Sequence, residues 1–315
     1  MKPIRIAVVG LGKIARDEHL PAIAASDRFV LAATVDPVTA GIAAVPHFRD
    51  FAELIDAGLE LDAVALCMPP KYRFDVAFLA LMHEWHVLLE KPPCATFDEA
   101  DRLRILADTM EVTLFAAWHS RFAPGVEPAR QWLAQRQAKS VRAIWHEDVR
   151  VWHPGQDWIW KKEGFGVYDP GINAVSILTR ILPLPFRLAK AIQFVPANWQ
   201  APIAANLCFR DSNDSEIILD LDWTRTGTAC WDIEVETDLG SLRLTEGGAN
   251  LSLPDNSDQP GHADQRALSG EYPAIYEHFA ALIEAGRGDD DLTPLAHVMD
   301  AFDSAEQRFV EPFHF

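Results

Sequence analysis

Residues 4–15 of the chain read IRIAVVGLGKIA, an apolar run that leads directly into two glycines and an alanine. The spacing of Gly10, Gly12 and Ala15 between a strand and a helix is the G-x-G-x-x-A pattern of a dinucleotide-binding turn. Gly10 permits the tight turn, Gly12 lets the backbone approach a pyrophosphate, and the small Ala15 allows close helix–strand packing. The motif alone is weak evidence, because glycines are common in turns for conformational reasons. Its place at the start of an alternating chain favours dinucleotide binding.

The chain around this turn alternates apolar strands with amphipathic helices. The predicted strands are 4–9, 30–35, 63–67, 87–90 and 113–117, and the predicted helices are 14–25, 51–57, 72–83 and 97–110. Continuous apolar strands joined by helices indicate a parallel sheet that is covered on both faces. The sequence therefore predicts that residues 1–120 form an α/β, Rossmann-type, doubly wound domain that binds NAD(P).

A different pattern follows from about residue 123. The predicted strands are 141–149, 186–195, 204–210, 216–223, 231–237 and 241–245, and the predicted helices are 124–137, 170–182, 272–285 and 293–307. Hairpin-type turns at 211–214 and 238–240 join consecutive strands. Residues 121–315 are predicted to form an α+β domain on a large, mostly antiparallel sheet, which binds substrate and mediates oligomerisation. The terminal helices, 272–285 and 293–307, are expected to pack against the domains that the preceding residues form.

The charge balance argues against several classes of partner. Lys and Arg number 28 against 46 Asp and Glu, so the net charge of −18 would repel nucleic acid and anionic membrane surfaces. The cysteines at 67, 94, 208 and 230 are widely spaced and form no metal-binding pattern, so we expect reduced thiols and no metal. We also expect neither a membrane span nor a signal peptide, and hence a cytoplasmic protein.

Asp36 stands at the end of the second predicted strand, where an acidic side chain binds the adenosine ribose hydroxyls. A carboxylate there repels a 2′-phosphate, which favours NAD over NADP. Alternatively, Asp36 only caps the turn before Pro37. The predicted cofactor site is completed by Lys13, Ile14, Pro69, Glu90 and Lys91.

Lys91 follows a fully apolar strand in the run VLLEKPP of residues 87–93. Ligands of open α/β sheets bind outside the carboxyl ends of the strands, so Lys91 is expected to point at the reactive ring of the cofactor. The bond from Lys91 to Pro92 is a candidate cis bond. The simpler alternative is a surface lysine that leaves a strand.

Polar and aromatic residues cluster in the second half of the chain. Asp169 and Asn173 fall one helical turn apart, and Asp169 is predicted to be the N-cap of a helix with Pro170 at its first position. Indole rings beside carboxylates and imidazoles suit sugars, although core packing is the default role for any single Trp. The residues of this predicted cluster are Trp118, His119, Glu147, Asp148, Trp152, His153, Trp158, Trp160 and Trp231.

These motifs together resemble the glucose-fructose oxidoreductase and inositol dehydrogenase (Gfo/Idh/MocA) family along the whole chain. The resemblance rests on GLGKIA at 10–15, EKP at 90–92 and DPGIN at 169–173. Within the family, EDVR at 147–150 and WHPGQ at 152–156 look most like bacterial aldose 1-dehydrogenases for D-galactose and L-arabinose.

The resemblance implies oxidation of the anomeric C1 of a cyclic aldose, with D-galactose the leading substrate, to an aldonolactone with hydride transfer to NAD(P). It implies that Lys91, Asp169 and Asn173 act on the sugar and that His119, Glu147, Trp152, His153 and Trp231 line its pocket. The family usually has His at position 173, and a neutral amide cannot be the base, so proton removal falls to Lys91 or Asp169.

Three alternatives remain open at this stage. The enzyme could oxidise another carbon of a sugar or cyclitol, or the chain could be a non-catalytic sensor of dinucleotide and sugar. Lys91 and Asp169 argue against a sensor, which needs no proton acceptor. L-Arabinose and D-fucose are alternative substrates, because they share the ring hydroxyl configuration of D-galactose. A homodimer through the antiparallel sheet is also expected.

Overall fold

The computed structural model describes residues 2–254 and 270–314. The chain divides into two compact units. Unit 1 comprises Met1–His119 and Gly270–Leu292, and unit 2 comprises Ser120–Ser269 and Thr293–Phe315.

Unit 1 contains a six-stranded sheet in which every strand pair is parallel. Its strands are β1 (Ile4–Val9), β2 (Phe29–Val35), β3 (His47–Phe48), β4 (Ala63–Leu66), β5 (His86–Glu90) and β6 (Leu114–Ala117). The order across the sheet is β3-β2-β1-β4-β5-β6. This is the doubly wound order, which reverses direction between β1 and β4 and opens a crevice at the carboxyl ends of those strands.

Unit 2 contains an eight-stranded mixed sheet. Its strands are β7 (Ala138–His146), β8 (Phe186–Pro196), β9 (Ala204–Asp211), β10 (Glu216–Asp222), β11 (Cys230–Thr237), β12 (Gly240–Thr245), β13 (Asn250–Ser252) and β14 (Glu306–Val310). The order is β13-β12-β11-β7-β10-β9-β8-β14. The β7–β10 and β8–β14 pairs are parallel and the other pairs are antiparallel. The predicted fold class, a Rossmann sheet followed by an α+β domain, is confirmed.

The helices cover these sheets. They are α1 (Leu20–Ala25), α2 (Phe51–Asp56), α3 (Arg73–Met82), α4 (Phe97–Met110), α5 (Val126–Leu133), α6 (Val149–Trp152), α7 (Tyr168–Ile181), α8 (Glu271–Ala285) and α9 (Thr293–Ser304). A π-helical turn, Ala15–His19, precedes α1 directly, and 3₁₀ turns occur at Pro70–Tyr72, His119–Phe122, Asp157–Trp160, Lys162–Gly164 and Glu246–Gly248. Thus α8 belongs to unit 1 and α9 to unit 2.

Strand β1 and helix α4 have the bounds that the sequence predicts. At the start of α4 the Glu99 amide donates to Thr96 Oγ1 at 3.2 Å, and the Thr96 amide donates to Glu99 Oε2 at 3.2 Å. This reciprocal capping box satisfies two amides that the helix leaves unbonded.

Three predicted elements of unit 2 are wrong in extent, and the first is the predicted helix 124–137, which the structure limits to Val126–Leu133. The predicted strand 141–149 ends at His146, because the Asp148 side chain accepts the Arg150 amide at 2.9 Å and starts the short helix α6. The predicted helix 293–307 ends at Ser304, and β14 follows it. Strand β14 pairs in parallel with β8, and this partner is distant in sequence.

Candidate active site

The glycine turn after β1 is shaped by contact with the neighbouring strand end. Gly10 has a φ of +89°, and a Cβ built on it would lie 2.6 Å from the backbone nitrogen of Met68. Only glycine fits that position. By contrast, a Cβ built on Gly12 meets no atom of the described residues within 4 Å. The backbone at Gly12 therefore faces open space at the start of a helix, which fits the pyrophosphate of a dinucleotide.

The Asp36 carboxylate ties this turn to the loop after β2. Its Oδ2 accepts the Leu11 amide at 2.8 Å, and its Oδ1 accepts the amides of Val38 at 2.9 Å and Thr39 at 2.6 Å. Partial burial acts to raise the pKa of Asp36, but these backbone hydrogen bonds outweigh it and hold the pKa below its usual range. Asp36 thus has the capping role that was the alternative prediction. A carboxylate offers about four acceptor positions, so the described amides leave room for a ribose hydroxyl at Oδ2.

Lys91 lies at the end of β5, and its bond to Pro92 is cis, which confirms that prediction. The Lys91 amide donates to Glu90 Oε2 at 2.9 Å. Arg73, at the start of α3, donates to the carbonyl oxygens of both Glu90 and Pro92. Buried side chains therefore fix the main chain on both sides of Lys91.

The Glu90 side chain lies in a buried polar cluster. Its Oε1 accepts the Tyr272 hydroxyl at 2.6 Å and lies 3.0 Å from His19 Nε2, while His19 Nδ1 lies 2.8 Å from the Tyr276 hydroxyl. Burial acts to raise the pKa of Glu90, but hydrogen bonding and charge interaction with His19 outweigh it and lower the pKa to about 2. Burial acts to lower the pKa of His19, but its interactions with Cys67, Tyr276 and Glu90 raise it well above the usual value.

His119, a predicted sugar contact, lies just after β6 in unit 1. Its Nδ1 is 2.5 Å from Glu271 Oε2 in the first turn of α8, and its ring stacks on Tyr272 with centroids 5.8 Å apart. Trp118 is buried, and its indole donates to the Asp291 carbonyl at 2.8 Å. Trp118 therefore has the core role that is the default for a single Trp.

In unit 2, Glu147 is the centre of the predicted sugar cluster. It is 4% exposed, and its two carboxylate oxygens each accept an indole N–H, from Trp223 to Oε1 and from Trp231 to Oε2, both at 3.0 Å. Strand register explains the approach of Trp231, because β11 pairs with β7 just before Glu147. Trp223 directly follows β10 and is not among the predicted site residues, because the sequence pattern predicts it as the last residue of a strand.

The aromatic residues around Glu147 contact one another in pairs within unit 2. The rings of Trp152 and Trp231 lie 5.2 Å apart, and those of His153 and Trp223 lie 5.3 Å apart. His153 Nε2 is 3.5 Å from Asp169 Oδ2. The structure thus brings Glu147, Trp152, His153, Asp169 and Trp231 into one neighbourhood of unit 2.

Two other Trp residues of the predicted cluster have structural contacts. The Trp158 indole donates to Gln156 Oε1 at 3.1 Å, and this oxygen also lies 3.3 Å from His153 Nδ1. Trp160 is 1% exposed and stacks on Trp199 with centroids 5.4 Å apart. Asp148 caps α6 and pairs with Arg150, which holds the pKa of Asp148 below its usual range.

The prediction that Asp169 is an N-cap is wrong. Helix α7 begins at Tyr168 with Val167 as its N-cap, which has no side chain able to accept a hydrogen bond. Asp169 therefore lies inside the first helical turn and is 4% exposed. A carboxylate in the first turn is favoured by the free amides of the helix N-terminus. Asn173 lies half-buried one turn later.

The structure therefore assigns the predicted residues to two sets. Unit 1 holds the glycine turn, Asp36, Pro69, Glu90, Lys91 and His119, and unit 2 holds Glu147, Trp152, His153, Asp169, Asn173 and Trp231. Within residues 2–254 and 270–314, no group of three or more His, Cys, Asp or Glu side chains could hold a metal ion. In the same ranges, no helix combines the length and the apolar character that crossing a membrane requires.

Comparison with known proteins gives matches along the whole chain. The model of an oxidoreductase family with an NAD-binding Rossmann fold matches residues 4–117. A galactose 1-dehydrogenase from Pseudomonas fluorescens is 41% identical over 316 residues, which cover 100% of both chains. The crystal structure of a D-galactose-1-dehydrogenase from Rhizobium etli has a TM-score of 0.93 and 47% identity, and the match covers 100% of this chain and 99% of that one. A D-glucoside 3-dehydrogenase from Escherichia coli (strain K12) is 25% identical over 197 residues, 58% of this chain and 55% of that protein.

Proposed function

This chain belongs to the Gfo/Idh/MocA family of oxidoreductases, and we propose that it is an aldose 1-dehydrogenase with D-galactose as its preferred substrate. The predicted family resemblance is confirmed. The observation that carries the substrate assignment is the likeness, over the full chain, to two galactose 1-dehydrogenases at 41% and 47% identity. L-Arabinose and D-fucose, which differ from D-galactose mainly at C5, are the alternative aldoses.

The dinucleotide is assigned to unit 1. The open space at Gly12 and the helix that starts beside it fit a pyrophosphate, and Asp36 has an acceptor position for a ribose hydroxyl. We propose that NAD is preferred over NADP, because a 2′-phosphate would meet the Asp36 carboxylate. The Arg16 guanidinium donates to the carbonyl oxygens of Leu11 at 3.2 Å and Ala40 at 2.6 Å. These contacts compete with any role for Arg16 in binding a 2′-phosphate.

In the proposed reaction, the C1 hydroxyl loses its proton, C1–H leaves as hydride, and C1 becomes the carbonyl carbon of an aldonolactone. A bound nicotinamide supplies the hydride acceptor. The chain supplies the proton acceptor, which is Lys91 or Asp169. General base catalysis of this kind contributes about 10²- to 10⁴-fold to the rate.

The sugar hydroxyls are assigned to unit 2. Glu147 accepts an indole N–H at each of its two carboxylate oxygens, and a buried carboxylate is a hydrogen-bond acceptor that suits sugar hydroxyls. The indole faces of Trp152 and Trp231 suit the C–H face of a pyranose. Asn173 and His153 are the further hydroxyl partners in this proposal. A buried site of this kind strongly rejects sugars that leave its polar groups unpaired.

Oxidation at another carbon is the second candidate function, favoured by the match to a D-glucoside 3-dehydrogenase over part of the chain. A panel of aldoses with NAD and NADP, followed by absorbance of the reduced nicotinamide and by product analysis, separates the two. Turnover of D-galactose to a lactone is expected. A keto-sugar product would replace C1 oxidation with the second candidate, and no reduction with any aldose would favour a sensor.

We also propose a cytoplasmic homodimer formed through the mixed sheet of unit 2. All four cysteines are free thiols, as expected in a reducing compartment. Ile144, Ile218 and Ile192 are half-buried residues that alternate with buried ones along β7, β10 and β8, so this face of the sheet carries apolar surface. Light scattering of the intact chain, with Ile218→Lys as the disrupting variant, tests the dimer. A monomeric wild-type protein would contradict it.

A further inference from the structure

The proposed reaction gives no role to the buried polar cluster around Glu90, the residue that directly precedes Lys91. Glu90, whose side chain is 3% exposed, sits in it with His19, whose side chain is fully buried. Burying a carboxylate is costly even when it is paired, and the end of a strand can be stabilised by apolar packing alone. A buried anion at this position therefore calls for a physical reason.

Every hydrogen bond described for the Glu90 carboxylate leads to Lys91 or restrains the carboxylate itself. Oε2 accepts the Lys91 amide at 2.9 Å, and Oε1 accepts from the Tyr272 hydroxyl at 2.6 Å and from His19 at 3.0 Å. These bonds are charge-assisted, which makes them stronger and more directional than neutral ones. Tyr272 and His19 therefore fix Oε1 of the carboxylate, and Oε2 restrains the main-chain amide of Lys91.

Two further features act on the same segment. Arg73 is 3% exposed, donates to the carbonyl oxygens of Glu90 and Pro92, and donates from Nε to the Met68 carbonyl at 2.7 Å. His19 ends the π-helical turn, in which the Leu20 amide bonds to the Ala15 carbonyl five residues earlier. Such turns occur frequently at functional sites.

We propose that Glu90 is a positioning residue for Lys91, and that His19 and Tyr272 fix its carboxylate for this purpose. This role rests on the proposed function of Lys91 and deepens it. Small displacements of a reacting group reduce rates steeply, so a main chain restrained on both sides keeps Nζ aligned with the reacting hydroxyl. Glu90 then acts through Lys91 and does not bind the dinucleotide, which differs from its assignment by sequence.

A double-mutant cycle on the intact enzyme tests this role. Glu90→Gln is expected to lower kcat by about tenfold or more while the KM for the sugar and for NAD each change by less than about threefold. In a Lys91→Met background, Glu90→Gln is expected to change kcat by less than about twofold, because residues that act through one another are not additive. An equal fall in both backgrounds would overturn the role and leave Glu90 as a structural residue.

A matched pair of tyrosine variants separates an effect on Lys91 from a general loss of stability. Tyr272 and Tyr276 both lie on α8 and are fully buried, but only Tyr272 is hydrogen-bonded to Glu90, while Tyr276 contacts His19. Tyr272→Phe and Tyr276→Phe each remove one hydroxyl, so similar falls in melting temperature are expected. Tyr272→Phe is expected to lower kcat at least about threefold more than Tyr276→Phe. Equal effects on kcat would contradict the role.

A third measurement needs no turnover. In protein labelled with ¹⁵N-lysine, the Lys91 amide signal is assigned by its loss in Lys91→Arg. A hydrogen bond to a carboxylate is stronger than one to an amide oxygen, so the signal is expected to move upfield in Glu90→Gln. An unchanged signal would overturn the contact. If the signal moves but the wild-type protein oxidises no aldose, the proposed function fails while the positioning contact stands.

Discussion

Asp36→Asn is the most direct test of the proposed cofactor preference. The carboxylate has two roles that this variant separates. Its Oδ1 accepts the Val38 and Thr39 amides, and an Asn side chain keeps one oxygen for both. The variant therefore removes the negative charge and the Leu11 contact at Oδ2, but it retains most of the turn.

The expected magnitude follows from charge separation. If Oδ2 contacts the ribose, a 2′-phosphate would lie roughly 5 Å from the carboxylate, where two unit charges interact by about 3 kcal/mol at an effective dielectric constant of about 20. Asp36 is only partly buried, so screening reduces this to about 1.5–3 kcal/mol. Removing the charge should therefore improve NADP relative to NAD by about 10- to 100-fold.

The assay is the ratio of kcat/KM for NADP to kcat/KM for NAD, measured at saturating sugar. Asp50→Asn is the matched control, because Asp50 also accepts a backbone amide, from Glu53 at 2.9 Å, at the start of α2. Asp36→Ser should shift the ratio in the same direction, with a larger loss of stability, because its side chain is shorter. An unchanged ratio in Asp36→Asn, or an equal shift in Asp50→Asn, would show that Asp36 serves the turn alone.

Three other predictions address the proton acceptor, the sugar site and stability. Lys91→Met should lower turnover at least about a hundredfold, while dinucleotide binding, measured by fluorescence titration, is retained. Near-normal turnover in this variant would exclude Lys91 as the proton acceptor. Lys71→Met is the control. Trp223→Phe removes one N–H from Glu147 and should raise the KM for the sugar about tenfold; an unchanged KM would remove Glu147 from the sugar site. Glu90 has a pKa of about 2 against an ordinary 4.5, so it should stabilise the fold above about pH 4.5 by about 3 kcal/mol, lost as the pH falls toward 2. The raised pKa of His19 acts in the opposite sense, with stability present below about pH 6.5 and lost as the pH rises through the folded-state value. Melting curves across pH check both signs, and an equal acid loss in Glu90→Gln would contradict the assignment to Glu90.

Local patterns predicted the parts of the fold that local interactions determine. The glycine turn, β1 and the capping box of α4 depend on residues within a few positions of one another, and all three have the predicted bounds. Strand β14 was missed because its partner β8 lies more than a hundred residues away along the chain. Asp169 was misplaced because a polar residue before Pro170 resembles a cap, whereas the helix starts at Tyr168, two residues before the predicted first position.

The candidate site was predictable as a set of residue types but not as a set of contacts. Glu90 meets His19 and Tyr272 across 71 and 182 residues of sequence, so no spacing reveals the cluster. Trp223 meets Glu147 across 76 residues. For Glu90 the signal in the sequence was a polar residue at the end of an apolar strand, which is a position where parallel sheets gather ligands.

The two glycines of the first turn offer a way to separate folding from recognition. At Gly10 a side chain would clash with backbone atoms, and a substitution at a neighbouring residue cannot remove backbone atoms. Mutant libraries should therefore keep Gly10 unchanged. At Gly12 the folded chain leaves the extra methyl of alanine unopposed, and the backbone entropy of the unfolded state would even be reduced. Gly12→Ala is therefore expected to leave the apoprotein as stable as the wild type or slightly more stable in calorimetry, so a loss of ligand binding in a titration would report on the molecule that occupies this open space.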